Sequence, residues 1–203
     1  MRAAVVTDKE LELRGLNLEE IYLIFAKSEK AGIVFFEINE TLYLAQENIP
    51  AIKDAERFIN KFNKIYKFLG VSVIFGEIEG EIERVTRKYG LDMVIIARRV
   101  NLENVLNLKI PLLFYKKDAP IEKVLLMVDK RECEKILKEI KYKKLLSTNG
   151  DATEGEKINV SSLEDLEGIL DSIKIDLLVI SRIMEREQIK ELLRKIESNL
   201  LVF

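Results

Sequence analysis

One pattern of nine residues occurs twice in this sequence and constrains the fold more than any other feature. The first copy is Leu91–Arg99 and the second is Ile175–Ile183, which places the aspartates Asp92 and Asp176 84 residues apart. Each copy has an aspartate near its start, then four or five apolar residues, a small residue and an arginine. A continuous apolar run of this length is typical of a strand buried on both faces of an α/β sheet.

Apolar runs alternate with helical patterns on both sides of these two strands, which predicts parallel sheets joined by helical crossovers. The predicted strands are Ala3–Thr7, Gly32–Ile38, Gly70–Phe75, Leu91–Arg99, Pro111–Tyr115, Ile121–Val128, Tyr142–Ser147, Lys157–Val160, Ile175–Ile183 and Leu200–Phe203. The first predicted helix begins near Asn17 and has Leu18, Ile21, Tyr22 and Phe25 on one face. The other predicted helices cover Asp54–Leu69, 78–89, Leu102–Leu108, Arg131–Ile140, 163–173 and 189–196. A loop is expected over Asn39–Pro50, either throughout or with an extended piece at Thr41–Leu44, and Ser161 with Glu164 forms a capping box.

The polar, proline-ended stretch Lys116–Pro120 is the predicted domain boundary. We expect two tandem doubly wound parallel-sheet domains, at 1–117 and 118–203. Asp8 and Asp129 follow the first predicted strand of each domain and are 121 residues apart. The corresponding spacing of the fourth strands is only 84 residues, so the first domain carries 37 more residues and the second is reduced.

Composition excludes several functional classes. The 203 residues contain no histidine, which removes imidazole bases, Ser-His-Asp and Cys-His catalysis, and the usual histidine-containing metal sites. Cys133 is the single cysteine, so an internal disulfide is impossible, and its helical spacing predicts a core position. A formal charge of −2 gives no electrostatic reason to expect nucleic-acid or membrane binding, and no apolar run is long enough to span a bilayer. We expect a cytoplasmic protein, with a composition that leans towards that of a thermophile.

Three segments of the sequence resemble the universal stress protein family. Gly70–Arg99 is similar to the third strand, helix and fourth strand of that family, where a G-V-x-V strand precedes A-D-L-I-V-x-G-x-R. Pro120–Asp129 is similar to the opening strand, which ends V-x-V-D, and Asn199–Phe203 to the closing strand. The resemblance implies the adenine nucleotide alpha hydrolase-like fold, with strand order 3-2-1-4-5, present as a degenerate tandem pair.

Members of the family that bind ATP have a G-x-x-G motif after the fourth strand, followed nine residues later by glycine and serine or threonine. Here Ala97 and Val100 occupy the two glycine positions of the first copy, and Ser181 and Met184 those of the second. Arg194 and Lys195 stand where the second copy would have its glycine and serine. The resemblance therefore implies a member that uses no cofactor, with ATP disfavoured.

Candidate ligand-binding residues lie where the first and fourth strands of each domain end, because open α/β sheets bind ligands at the carboxyl ends of their strands. Capping of the next helix is the favoured alternative for the two aspartates, and contact with solvent or glutamate for the arginines. The basic face of Arg57, Lys61 and Lys64 is interpreted as a solvated helix surface. The candidates are Asp8, Ala97, Arg98, Arg99, Asp129, Ser181 and Arg182.

The expected function is regulatory or stress-associated binding of a protein or small ligand, without catalysis. The alternative is a nucleotide-binding protein or weak nucleotide hydrolase in which arginines replace the glycine motif. Pro111–Tyr115 and Leu200–Phe203 are apolar and would both be sheet edges, so we expect them to pair within the chain as a pseudo-dimer. A homodimer of the whole chain is also compatible with the sequence.

Overall fold

The computed structural model describes residues 1–27, 32–36, 49–148, 156–160 and 163–203. The chain divides into two compact units. The first unit comprises Met1–Glu12 and Leu18–Ile110, and the second comprises Leu13–Asn17 and Pro111–Phe203. This division differs from the sequence-based domains at 1–117 and 118–203, because Pro111–Lys117 and a short early segment both group with the second unit.

In the part of the first unit that the structure describes, five strands form a sheet and three helices accompany it. Its elements in chain order are β1 (Arg2–Thr7), β2 (Glu20–Lys27), β3 (Gly32–Phe36), α1 (Ile49–Phe62), β4 (Lys67–Phe75), α2 (Glu79–Tyr89), β5 (Met93–Ile96) and α3 (Leu102–Val105). The strand order is β3-β4-β2-β1-β5, with β3 antiparallel to β4 and the other pairs parallel. The four parallel strands therefore follow the order 3-2-1-4.

The predicted helix from Asn17 to Phe25 is wrong, because this segment leads into strand β2. All six residues from Ile21 to Ala26 are buried, so Leu23 and Ile24 are as buried as the residues that suggested a helical face. β2 lies between β1 and β4, and side chains on both of its faces are buried. An apolar run without polar interruption fits a central strand better than an amphipathic helix.

Helix α1 is shorter at its end than predicted, and it starts earlier. It ends at Phe62, and residues 63–66 form a turn in which the Tyr66 amide donates to the Phe62 carbonyl over 2.9 Å. Ala55, Phe58 and Phe62 are buried as predicted, but Ile65 is 63% exposed. Phe68 and Leu69 belong to β4, because the chain pairs with β2 from Lys67 onward.

The described residues of the second unit form a six-stranded sheet with three helices. Its elements are β6 (Leu112–Phe114), β7 (Lys123–Leu126), α4 (Lys130–Leu137), β8 (Lys144–Ser147), β9 (Glu156–Lys157), α5 (Leu163–Ile173), β10 (Leu177–Ile180), α6 (Arg186–Lys195) and β11 (Asn199–Val202). The order is β6-β11-β10-β7-β8-β9, and only β6 is antiparallel to its neighbour. Strands β7 to β11 thus confirm the predicted order 3-2-1-4-5.

Residues 13–17 group with the second unit because they bond to it. The Asn17 amide donates to the Glu139 carbonyl over 2.7 Å, and the Tyr115 hydroxyl donates to the Arg14 carbonyl over 3.1 Å. Gly15 has a φ of 86°, and a Cβ there would lie 2.7 Å from the Ile121 nitrogen. Only glycine fits this close approach without displacing the backbone.

The aspartate that precedes each fourth strand makes the same bonds in both units. Asp92 accepts from the Arg2 amide over 3.0 Å, and its own amide donates to the Arg2 carbonyl over 3.0 Å. Asp176 accepts from the Lys123 amide over 2.9 Å, and its amide donates to the Lys123 carbonyl over 3.0 Å. The repeated aspartate therefore ties the fourth strand of each sheet to the first strand beside it.

The two units differ in their other connections. α4 follows β7 directly, whereas residues 8–19, which follow β1, form no helix. The first unit carries β3 and α1 between its second and third parallel strands, which accounts for its greater length. Cys133 is buried on α4, as its spacing predicted. The loop expected at residues 39–48 and the cap at Ser161 lie outside the described residues, whereas Ile49 and Pro50 begin α1.

Within the described ranges, no helix is both long enough and apolar enough to cross a membrane. The apolar residues instead lie largely in the strands, and β5, β6, β10 and β11 are buried along their whole lengths.

β6 and β11 pair antiparallel within the second unit. Leu201 lies opposite Leu113, and Leu200 and Val202 lie opposite Phe114 and Leu112. The Asn199 side chain closes the end of this ladder, because its Oδ1 accepts from the Lys116 and Lys117 amides over 2.8 and 3.0 Å. The apolar segments that sequence analysis identified as exposed edges therefore cover one another.

We expect Leu201→Asp to destabilise the second unit by more than about 4 kcal/mol, because it places a carboxylate in a fully buried strand. Urea denaturation measures this loss, and size-exclusion chromatography should show self-association through the uncovered β6. Ile183→Asp is the matched control, because Ile183 is 91% exposed and its replacement should change stability by less than about 0.5 kcal/mol. Equal stability of the two variants would contradict the role of this ladder.

Candidate functional site

The first candidate site lies at the carboxyl ends of β1 and β5. β1 continues to β2 on one side, while β5 lies on its other side, so this is the point where the strand order reverses. Ligands of open α/β sheets bind in the crevice at such a point. Asp8 follows β1, and Ala97, Arg98 and Arg99 follow β5.

Arg98 crosses this crevice. Its guanidinium donates through Nη1 to the carbonyl of Ala26, near the end of β2, and through Nε to the Arg99 carbonyl over 3.1 Å. β1 lies between β5 and β2, so a side chain that starts after β5 and reaches β2 passes the end of β1. The Ala97 amide is also used, because it donates to the Val6 carbonyl over 2.9 Å.

Asp8 is not drawn into this arrangement. It is exposed, and among the described residues it forms no ion pair with Arg98 or Arg99. The preceding Thr7 bends the chain locally: its hydroxyl donates to the Lys9 carbonyl over 2.7 Å and accepts from the Lys9 amide over 3.1 Å. Of the candidate residues at this site, Arg98 and Arg99 therefore lie together, and Asp8 does not join them.

A cavity of about 250 Å³ lies beside the two arginines, between the loops that follow β4 and β5. Its charged side chains are of both signs, and Glu79 together with Glu81 already places negative charge in the first turn of α2. This volume is below the usual range for a drug-sized ligand. The polar residues that line it are Glu77, Glu79, Arg98, Arg99, Asn101 and Asn104.

The candidate residues of the second unit take structural roles. Asp129 is the N-cap of α4 and accepts from the Arg131 amide over 2.9 Å. Ser181 closes a tight turn: its hydroxyl accepts from the Ile183 amide over 3.2 Å, and its carbonyl accepts from the Met184 amide over 3.2 Å. The Ile183 and Met184 amides therefore donate within this turn, rather than to a ligand.

Arg182 is half-buried beside this turn, and burial lowers the pKa of its guanidinium. Its backbone amide donates to the Phe203 carbonyl over 2.8 Å. The structure thus places Arg182 at the end of β11, and it places Arg98 across the end of β1, although the sequence positions are equivalent.

A buried polar cluster of Tyr22, Ser72, Glu81 and Arg84 was not predicted from the sequence. The Tyr22 hydroxyl lies 2.6 Å from Ser72 Oγ and 3.2 Å from Glu81 Oε1, and the Ser72 hydroxyl also donates to Glu81. Arg84 bonds to both oxygens of Glu81, over 2.6 and 2.7 Å, and to the Tyr22 hydroxyl over 3.1 Å. The cluster fixes the first turn of α2, which forms one wall of the cavity.

Burial sets the electrostatics of this cluster. It raises the pKa of Tyr22 to about 12, an effect that the bond to Ser72 partly opposes. The hydrogen bond to Glu81 raises the pKa of the Arg84 guanidinium. Gly70 gives Tyr22 its space, since a Cβ at this position would lie 2.5 Å from the ring. The sequence signal was weak because Glu81 and Arg84 look like an ordinary surface pair on a helix.

Comparison with solved structures shows what this architecture is. One crystal structure from Pseudomonas aeruginosa, of a protein provisionally assigned as a universal stress protein, matches with a TM-score of 0.61 over 100% of this chain and 93% of its own. A second, of a functionally unknown protein from the same species, gives 0.62 over 100% and 92%. The chain has a universal stress protein-like fold. Sequence identity is 11% in both cases, so the likeness extends to the fold alone.

Comparison of sequences adds one relative. An uncharacterised protein of Archaeoglobus fulgidus is 29% identical over 126 residues, which cover 62% of this chain. The match spans about half, 51%, of the length of that relative. No protein-family model matches the chain.

We expect Glu81→Ala to destabilise the first unit by about 2–3 kcal/mol, because it leaves Ser72, Tyr22 and Arg84 without their shared partner. The free energy of unfolding in urea measures the loss. Glu83→Ala is the matched control on the same helix, since Glu83 is exposed and pairs with Arg87 at 3.8 Å; it should cost less than about 0.5 kcal/mol. Similar losses for the two variants would show that the buried cluster contributes nothing beyond a surface pair.

Stability should also fall at alkaline pH because of Tyr22. Burial raises its pKa from the ordinary tyrosine value of 10.0 to about 12 in the folded protein, so its contribution is complete below pH 10 and is lost as the pH rises towards 12. Urea denaturation between these pH values measures the fall. Tyr22→Phe should remove part of this pH dependence, and the same slope in this variant and in the wild type would contradict the assignment.

Proposed function

We propose that this chain is a universal stress protein-like regulatory or stress-response protein of the type that does not bind ATP, and that it acts through protein or small-ligand binding without catalysis. The observation that carries the proposal is that the residues that follow β5 and β10 form hydrogen bonds within the protein. Arg98 spans the crevice of the first unit, and the amides after β10 are bonded within their own turn.

Phosphate binding by a loop requires free backbone amides that converge on one point. Ala97, at a glycine position of the family motif, donates its amide to β1. At the equivalent place in the second unit, the Ile183 and Met184 amides both donate to Ser181. These bonds support the absence of a phosphate loop at either position.

A non-catalytic role is supported by the chemistry of the side chains. The sequence has no histidine, and Ser72, Tyr22 and Glu81 form a cluster in which Ser72 is 0% exposed and Glu81 7% exposed. A buried hydroxyl that is bonded to a carboxylate resembles a nucleophile with its base, but substrate has no access to it. The cluster is better interpreted as an anchor for α2.

The second candidate function is nucleotide binding in which arginines replace the glycine motif. It is favoured by Arg98 and Arg99 beside the cavity of about 250 Å³, because one guanidinium group can donate two parallel hydrogen bonds to a phosphate. For Arg98 to do so, its guanidinium would first have to release the Ala26 carbonyl.

A thermal-shift experiment with ATP, ADP and AMP distinguishes the two functions. A nucleotide present at one hundred times its Kd stabilises a protein by about 2.7 kcal/mol, which is easily detected. We expect no shift in the wild type, in Arg98→Ala or in the exposed control Arg57→Ala. The protein contains no Trp and therefore absorbs weakly in the near ultraviolet, so co-purified nucleotide would dominate this spectrum. We expect the purified protein to show no nucleotide absorption.

A stabilisation by nucleotide that disappears in Arg98→Ala and persists in Arg57→Ala would establish the second function and overturn the first. Turnover of ATP by the purified protein would overturn the non-catalytic assignment independently of binding.

A further inference from the structure

A cavity of about 400 Å³ lies in the second unit at the amino ends of β10 and β11. It is bordered by Ile175 and Asp176, which precede β10, and by Ser198, which precedes β11. The last turns of α5 and α6 form its sides through Leu170 and Lys195. Its volume is within the range of small-molecule sites.

Lys174, which lines this cavity, has a backbone conformation that lysine rarely adopts. Its φ is 55°, in the left-handed region that glycine tolerates and other residues disfavour. The equivalent residue of the first unit is Gly90, which follows α2 as Lys174 follows α5 and has a φ of 60°. The second unit therefore retains a strained lysine where the first unit uses the unstrained residue.

Both units have a positive φ at this position, but the fold does not require a lysine there, since glycine would adopt the same φ without strain. The strained lysine therefore points to a role for its side chain. Favourable interaction with the helix dipole does not account for it, since a lysine within the last turn of α5 would provide the same charge without strain. Lys174 is exposed, and its side chain borders the cavity.

The other two lysines of the cavity are already matched by carboxylates. Lys117 pairs with Glu197 at 3.1 Å, and Lys195 lies 2.8 Å from Glu167 and 2.9 Å from Glu191. Asp176 directs Oδ2 to the Glu122 and Lys123 amides, each over 2.9 Å. Among the described residues that line the cavity, these bonds leave the Lys174 ammonium as the cation available to a ligand.

Two further lysines offset the negative ends of the helices beside the cavity. Lys123 donates to the Ile173 carbonyl at the end of α5 over 2.8 Å, and Lys116 donates to the Ile196 carbonyl after α6 over 2.7 Å. The helix carbonyls that would repel an anion are thus bonded to cations. Leu170, Ile175 and Ile196 add a smaller apolar part to the lining of the cavity.

We propose that this cavity binds a small ligand with an anionic head group and an apolar body, and that Lys174 binds the head group. The apolar body would lie against Leu170, Ile175 and Ile196. This inference names a ligand class for a protein that acts by binding, and it does not depend on whether nucleotides bind at the carboxyl ends of the strands.

Benzoate is a suitable probe, and benzyl alcohol is its uncharged counterpart. We expect benzoate to shift the backbone amide NMR signals of residues 170–176 and 195–198 in a saturable manner, and benzyl alcohol to bind about tenfold more weakly. Lys174→Gly should weaken benzoate binding about tenfold and, in the absence of the probe, raise the thermal midpoint by relieving the positive φ. Lys138→Ala is the control and should bind benzoate as the wild type does, since Lys138 is the C-cap of α4 and pairs with Glu134 at 2.9 Å.

Unsaturable or absent shifts with benzoate, or equal affinity of Lys174→Gly and wild type, would overturn the proposal. A lower thermal midpoint for Lys174→Gly would remove its premise of strain. The nucleotide experiment has a different readout, since it depends on Arg98, so failure of one proposal leaves the other standing.

Discussion

Burial of both faces of the parallel strands is the constraint on which the rest of this structure depends. In each unit the first and fourth strands lie side by side at the centre of the sheet, and their residues from Ala3 to Val6 and from Leu177 to Ile180 are 0% exposed. Burying apolar surface stabilises by roughly 25 cal/mol per Å², but it does not select one register of a uniformly apolar strand over another. The repeated aspartates supply this selection, because Asp92 and Asp176 each bond to one position of the adjacent first strand.

The parts of the fold that could be predicted from sequence are those in which one physical pattern dominates. β5, β10 and α2 were correctly placed, because a long apolar run and a helical stripe ending at Gly90 have few alternative interpretations. β2 was not predicted, because Leu18, Ile21, Tyr22 and Phe25 have helical spacing within a run that is apolar at nearly every position. The end of α1 was also misplaced. Here the pairing of Lys67 with β2, a contact distant in sequence, overrides a local helical pattern that continues to Leu69.

The candidate site shows the corresponding difficulty for function. Sequence position brought Asp8 and Asp129 to the carboxyl ends of first strands, and the structure gives them different environments, one exposed and one a helix cap. The reach of Arg98 to Ala26 depends on which segment lies beyond β1, and that segment was not recognised because β2 was taken as a helix. The Tyr22–Glu81 cluster joins β2, β4 and α2, so no local window contains its signal. Side chains that combine through tertiary contacts are the least visible part of a single sequence.

Fold and function are separable in this architecture because they reside in adjacent but different residues. The strand interiors require only apolar side chains, and those are retained in both units. The residues that leave the strands have no comparable constraint, since a turn such as Ser181–Met184 satisfies its own amides whether or not a phosphate is present. Loss of a ligand at that position would therefore cost little folding free energy, and selection on stability alone would not restore a glycine loop. A likeness in fold at 11% identity is consistent with this separation: the buried strands maintain the topology, while the exits are free to acquire other contacts.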